Sequence, residues 1–170
     1  MADLTLRPAE DVDAAAIGAI YDEGIAGGNA TFATGVHDAA ERRAWLAARD
    51  ERAPVWVAEH DRAVVAWGAL APVSHRPWYH GVAEYTVYVS ESGRGAGVGR
   101  AILETLVAIA PGHGYWKLVG MILPENTAGL RLAAGCGFRQ VGIHRAHAQA
   151  AGRWRDVALL ELHLTEEITG

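Results

Sequence analysis

The sequence predicts an α+β fold, a mixed β-sheet flanked by helices, and three observations carry that expectation. Pro54 to His60 (PVWVAEH) and Arg62 to Val73 (RAVVAWGALAPV) are β-rich runs parted by Asp61, which reads as a hairpin. Val82 to Val89 (VAEYTVYV) leads into a glycine-dense turn and then a helical repeat, the pattern of a strand that crosses over to a parallel neighbour. Phe138 to Gln149 and Trp154 to Leu164 read as a closing antiparallel pair. At 170 residues, with no internal repeat and no linker, one domain over residues 1–170 is expected.

Taken in order, Leu4 and Leu6 alternate with Thr5 and Arg7 as a first strand ended by Pro8. Asp11 is placed to cap a helix whose Val12, Ala16 and Ile20, with Ile17 and Tyr21, recur at helical spacing until Gly27-Gly28 stops it. A second helix follows Gly35, with Asp38 and Glu41 spaced as a capping box and Trp45-Leu46 on its inner face. Beyond the hairpin, Ser74 to Gly81 (SHRPWYHG) is a loop. The helix behind the glycines carries Val98, Ile102 and Leu106, and Leu103 and Val107, at i, i+4 spacing. Trp116 to Leu123 is a strand and Asn126 to Gly135 a short helix, so the order is βααβββαβαββ.

Composition excludes several classes of function. Lys plus Arg number 15 and Asp plus Glu 20, a net charge of −5 with both signs interspersed, whereas a nucleic-acid binder would carry a basic stripe. The one cysteine, Cys136, allows neither an intramolecular disulfide nor a cysteine-rich zinc site, and between Gly135 and Gly137 it reads as a small packed residue. His37, His60, His75, His80, His113, His144, His147 and His163 show no metal-ligand spacing, so no metal is expected. The chain starts with alternating residues rather than a basic and then apolar leader, and its longest apolar run, Ala63 to Ala71, is about half a membrane span. A cytoplasmic protein with no membrane partner is the expectation.

Chemistry concentrates at Gly93-Arg94-Gly95-Ala96-Gly97-Val98-Gly99. Glycines there free the backbone to approach a ligand, and the amides opening the next helix converge where the helix dipole favours an anion. Arg94 adds a cation. The segment reads as a phosphate cradle, against the plainer alternative of a flexible turn. It is not a dinucleotide loop, because the sixth place from Gly95 is Arg100 and from Gly93 is Val98, and Gly-Lys-Ser/Thr is absent.

The spacing Arg94-x-x-Gly97-x-Gly99 resembles the R/Q-x-x-G-x-G/A signature of the GNAT N-acetyltransferases, with a strand before it and a helix after. Glu84 to Val89 (EYTVYV), Glu125-Asn126, Gly137-Phe138 and Gly152-Arg153-Trp154-x-Asp156 are similar to the phosphinothricin and methionine sulfoximine acetyltransferase branch. The resemblance implies a GNAT fold over nearly the whole chain and acetyl-CoA as cosubstrate, its pyrophosphate on the amides of Arg94 to Arg100. It also implies a small amino acid or analogue as acceptor, and a homodimer.

Amide formation needs a neutral amine, yet an alkyl ammonium of pKa ~10 is protonated at pH 7. Glu84 is the sole carboxylate in an apolar strand, where partial burial would raise its pKa toward that of a useful base; the plainer reading is a solvent-facing strand-end glutamate. The resemblance puts the general base at Glu84. It further implies that main-chain amides of Tyr88 and Val89, at a bulge in the same strand, meet the thioester carbonyl, and that Asn126, otherwise a helix cap, touches the pantetheine arm. Two places depart from the branch. Ala133 stands where a tyrosine or histidine usually protonates the leaving thiolate, and Gly129 replaces a serine. A thiol of pKa ~8.5 leaves as thiolate at pH 7 at a cost of only about 2 kcal/mol, so loss of the acid should slow the reaction without abolishing it.

For the acceptor, Arg76 lies in the loop before the catalytic strand, where its fork could hold a carboxylate against the plainer reading of an exposed loop arginine; Thr31, Phe32 and Thr34 in NATFAT resemble the branch's substrate-side loop, and Trp78 and Tyr79 could wall a small pocket. No side chain is placed to carry the acetyl group, so the amine is expected to attack directly in a ternary complex. Alternative readings are acetylation of a protein N-terminus or an aminoglycoside, or a weakly active coenzyme-binding sensor, the last motivated by Ala133.

Overall fold

The computed structural model describes residues 4–33, 35 and 38–165. The alternating runs form strands β1 (Leu4–Pro8), β2 (Val55–His60), β3 (Ala63–Pro72), β4 (Val82–Val89), β5 (Lys117–Ile122), β6 (Arg139–Ala150) and β7 (Arg153–His163). The helical repeats form α1 (Ala14–Ala26), α2 (Ala39–Ala47), α3 (Val98–Ile109) and α4 (Thr127–Gly135). This is the predicted βααβββαβαββ order, with element ends shifted by one or two residues. One mixed sheet of seven strands runs β1-β2-β3-β4-β5-β7-β6, and only the β4–β5 pair is parallel.

Local chemistry explains the joints. Asp61 and Arg62 both take positive φ, 50° and 66°, as the central pair of a type I′ hairpin requires. Asp38 accepts from Glu41 N–H at 2.7 Å while Asp38 N–H donates to the Glu41 carboxylate, so the predicted box starts α2. The start of α1 differs from expectation. Asp11 opens a 3₁₀ turn, and Glu10 N–H bonds instead to the Asp13 carboxylate at 2.7 Å. Asp13 is in turn anchored by Arg7 at 2.7 Å, and the turn leaves Val12 79% exposed, outside the inner stripe of Ala14, Ile17 and Ile20.

Two cores result, one on each face of the sheet. Ile102, Leu103 and Leu106 of α3 pack with Leu70, Leu118, Phe138 and Leu160, and each such side chain contributes about 1.5–3 kcal/mol when buried. On the opposite face α1 packs Ile17 and Ile20 against Val57, Trp67 and Ala69. With both ends so fixed, the middle of the sheet can open. Pairing of β4 with β5 stops at Glu84–Val119, while β5 stays paired with β7 through Ile122. The two strands part, and the site lies in the gap.

Candidate active site

Two connected spaces occupy the opening. A cleft of about 610 Å³ runs along the glycine loop and the end of β4, and a chamber of about 300 Å³ lies around Glu84. Ala30, Val87, Tyr88, Asn126, Gly129 and Leu132 line both, so a molecule in the cleft can present one end to the chamber.

Main-chain atoms build the cleft. Gly95 and Gly97 each have φ of 79°, a left-handed conformation that costs other residues roughly 1–2 kcal/mol. Gly97 is the N-terminal cap of α3 and gives it no side-chain cap; the Gly97 carbonyl accepts first from Ala101 N–H, so the amides of Val98, Gly99 and Arg100 have no helical partner. Arg94 and Arg100 are exposed at the rim, ion-paired to Glu91 at 4.0 Å and Glu104 at 2.7 Å. Ala96, on the same loop, is exposed and does not line the cleft.

The register of β4 decides which strand amides face the gap. Val73 N–H bonds to the Val82 carbonyl and Ser90 N–H to the Val65 carbonyl, and the β3–β4 ladder between them has no bulge. Peptide groups alternate in such a ladder, so Tyr88, opposite Trp67, points its amide at β3, whereas Val87 and Val89 point theirs at the gap. The expected bulge is absent, and the strand donors facing the cleft are Val87 and Val89. The Tyr88 ring stacks on Trp67 at 5.1 Å, and its hydroxyl donates to the Ala30 carbonyl at 3.3 Å.

Side chains build the chamber. Glu84 is the one charged residue among the described residues that line it, and burial pushes its carboxyl above the ordinary carboxylate range. Thr31, Phe32, Thr86, Met121 and Leu123 complete the walls. Thr34 lies outside the described residues. Arg76, Trp78 and Tyr79 are not brought to the chamber: they sit exposed on the loop and 3₁₀ turn before β4, with Trp78 67% exposed. His80 Nδ1 lies 2.5 Å from the Pro77 carbonyl, its ring edge-on to Trp116.

On the far wall, Asn126 caps α4 by accepting from Gly129 N–H at 2.9 Å while lining both spaces. Ala133 is fully buried in the core, and the α4 side chains lining the cleft are Ala128 and Leu132. Cys136 packs on the same core, where burial pushes its thiol up and away from nucleophilic use. Sequence reasoning missed two residues behind the chamber, Tyr21 and Arg42. Both read as ordinary helix positions, and only the packing of α1 on α2 brings Arg42 over the Tyr21 ring, whose hydroxyl reaches Thr31.

The arrangement offers an anion cradle, two strand amides aimed into a gap and one desolvated carboxylate beside it. Residues 25–138 match the acetyltransferase (GNAT) family. The chain is 35% identical to the phosphinothricin N-acetyltransferase of Alcaligenes faecalis, covering 92% of this chain and 81% of the relative. It is 31% identical to an L-methionine sulfoximine/L-methionine sulfone acetyltransferase of Pseudomonas paraeruginosa over 94% of each chain. A phosphinothricin acetyltransferase of Sinorhizobium meliloti, solved in complex with acetyl-CoA, superposes with a TM-score of 0.89 at 28% identity, covering 98% of this chain and 91% of that one. Fold, cleft and relatives together show that this chain belongs to the acetyltransferase (GNAT) family, as an acetyl-CoA-dependent N-acetyltransferase of the phosphinothricin and methionine sulfoximine acetyltransferase branch.

Proposed function

We propose that this enzyme acetylates the α-amine of a small amino acid or analogue, of the kind represented by methionine sulfoximine, methionine sulfone and phosphinothricin. The observation that carries the reading is the chamber itself. Its 300 Å³ suit a small acceptor, and Glu84, the one charged wall residue among the described residues, is opposite in sign to an ammonium. Glu84 takes the amine's proton, directly or through water, and its desolvation makes it a stronger base than an exposed carboxylate.

The free amides of Val98, Gly99 and Arg100 hold the pyrophosphate of acetyl-CoA, and those of Val87 and Val89 donate to the thioester oxygen as charge develops there. The amine attacks directly, with the Cys136 thiol packed against the core and pushed away from thiolate formation. Water protonates the departing thiolate in place of a side chain at Ala133. Homodimerisation belongs to the same reading, supported by the exposed apolar Met121, Val141, Ile143 and Trp154, and sedimentation measures it. Coenzyme A release against amino-acid analogues, peptides and aminoglycosides tests the acceptor class. Turnover confined to peptides or aminoglycosides would overturn it.

A further inference from the structure

Among the described residues, Arg42 is a buried cation without an ion pair. On α2 it is only 6% exposed, and among the described residues its buried Nε has no hydrogen-bond partner. The contrast within the chain is Arg7, which meets both Asp13 and Glu59. Two ring faces hold Arg42 instead, its guanidinium carbon 4.7 Å from the Tyr21 centroid and 5.0 Å from that of Trp45. Cation–π contact recovers less than burial of an ion costs, so the site is built to receive negative charge.

These rings lead to the chamber. The Tyr21 hydroxyl is 3.1 Å from Thr31 Oγ1, and Thr31 lines the chamber. Thr31 Oγ1 also accepts from Ala33 N–H at 3.2 Å, and its hydroxyl bonds to that of Tyr88, so Tyr21, Thr31 and Tyr88 form one hydroxyl cluster at the chamber wall whose protons a bound anion would redirect. Tyr88, whose ring lies edge-on to Tyr21 at 5.0 Å, also lines the chamber. Burial pushes the Tyr88 phenol up to about 12, and the Arg42 charge works against that push, so its field reaches the chamber wall. Glu84 serves an ammonium; no cation lines the chamber among the described residues to serve a carboxylate, and Arg76 stands outside it.

We propose that Arg42 is a positioning residue for the acceptor, forming with the Tyr21 and Thr31 hydroxyls the subsite that takes the acceptor's anionic group. The carboxylate of a zwitterionic acceptor accepts from the hydroxyl at the wall, and Arg42 behind it supplies the counter-charge. This rests on the amino-acid reading above and names the residue that selects for it.

The test uses the full chain, acetyl-CoA, and two matched acceptors, L-methionine sulfone and its carboxamide. The unmodified enzyme should favour the acid by about 10- to 100-fold in kcat/KM, the range for a hydrogen bond to a charged group. Arg42→Met, which fills the same space against the rings, should shrink that preference to about 3-fold or less through the acceptor KM, with the acetyl-CoA KM unchanged, and Arg42→Lys should restore part of it. Equal loss on acid and amide in Arg42→Met would show that Arg42 only packs. Should Arg42→Met fail to fold, the acid-to-amide ratios of the unmodified enzyme and of Arg42→Lys decide. A ratio near one in the unmodified enzyme overturns the subsite but leaves the amino-acid reading standing, whereas no turnover of any carboxylate-bearing amine overturns both.

Discussion

The two ends of the active site are built from different materials. In the site as we propose it, the working atoms at the coenzyme end are backbone amides, of Val98 to Arg100 on one side and Val87 and Val89 on the other, set by glycine conformations and strand register. At the acceptor end they are side chains gathered from Thr31 to Leu123, with Tyr21 and Arg42 behind them. A main-chain site is indifferent to most side-chain changes, so it holds one ligand constant. A side-chain site changes with each substitution, so acceptor choice can vary on an unchanged scaffold.

Glu84→Gln should separate the two ends most sharply. It keeps the size and removes the base, and turnover should fall about 10²- to 10⁴-fold while coenzyme affinity, measured by calorimetry, stays put. The rate of the unmodified enzyme should fall as pH drops through the raised Glu84 pKa, so the acidic limb should lie above the ordinary carboxylate range and disappear in the variant. Stability runs the other way. A carboxyl whose folded pKa is raised adds stability below its unfolded pKa and loses it as pH rises through the folded value. At neutral pH and above Glu84→Gln should therefore melt higher than the unmodified enzyme, and the gap should close in acid.

Gly97→Val should do the reverse, weakening acetyl-CoA binding by at least about 10-fold while the Glu84 pH profile persists. The φ of 79° at Gly97 is poorly tolerated by a β-branched residue, and relaxing it would turn the first α3 amides away from the cradle. Among the described residues, no atom beyond the chain neighbours lies within 4 Å of where a Cβ would project, so the loss should appear in binding more than in melting temperature. Unchanged calorimetric affinity in a folded variant would remove the glycine loop from the coenzyme site.

The same division explains what the sequence could disclose. The left-handed turn into α3 was legible because four glycines between a strand and a helix encode a local conformation, and the carboxylate in the chamber because Glu84 interrupts an apolar strand. The absence of a bulge was not legible, since register depends on pairing with β3 across the chain. Arg42 was hidden for a similar reason: its sequence neighbourhood, AERRAWLA, is that of any surface helix, and its burial comes from α1. Asn126 was legible in both readings, and one variant weighs them. Asn126→Ala should lose about 0.5–2 kcal/mol as a missing cap, a few degrees in thermal melting, whereas Asn126→Ser should keep most of that stability. An acetyl-CoA KM raised in Asn126→Ser despite retained stability would identify a direct contact beyond the cap.

The smallest expected effect is that of Arg94→Ala, and its smallness follows from where the charge sits. Arg94 is more than half exposed and 4.0 Å from Glu91, so water, salt and a neighbouring carboxylate all weaken its field at the cradle. The amides of Val98 to Arg100 lie in fixed directions and lose nothing when Arg94 is removed. Acetyl-CoA affinity should fall only a few-fold at low salt, and the difference should fade as ionic strength approaches about 1 M, where the screening length is about 3 Å. Titration calorimetry across a salt series measures this. A loss as large as that of Gly97→Val, persisting at high salt, would mean that the guanidinium leaves Glu91 to bond the phosphates directly, and that this end of the site depends on a side chain after all.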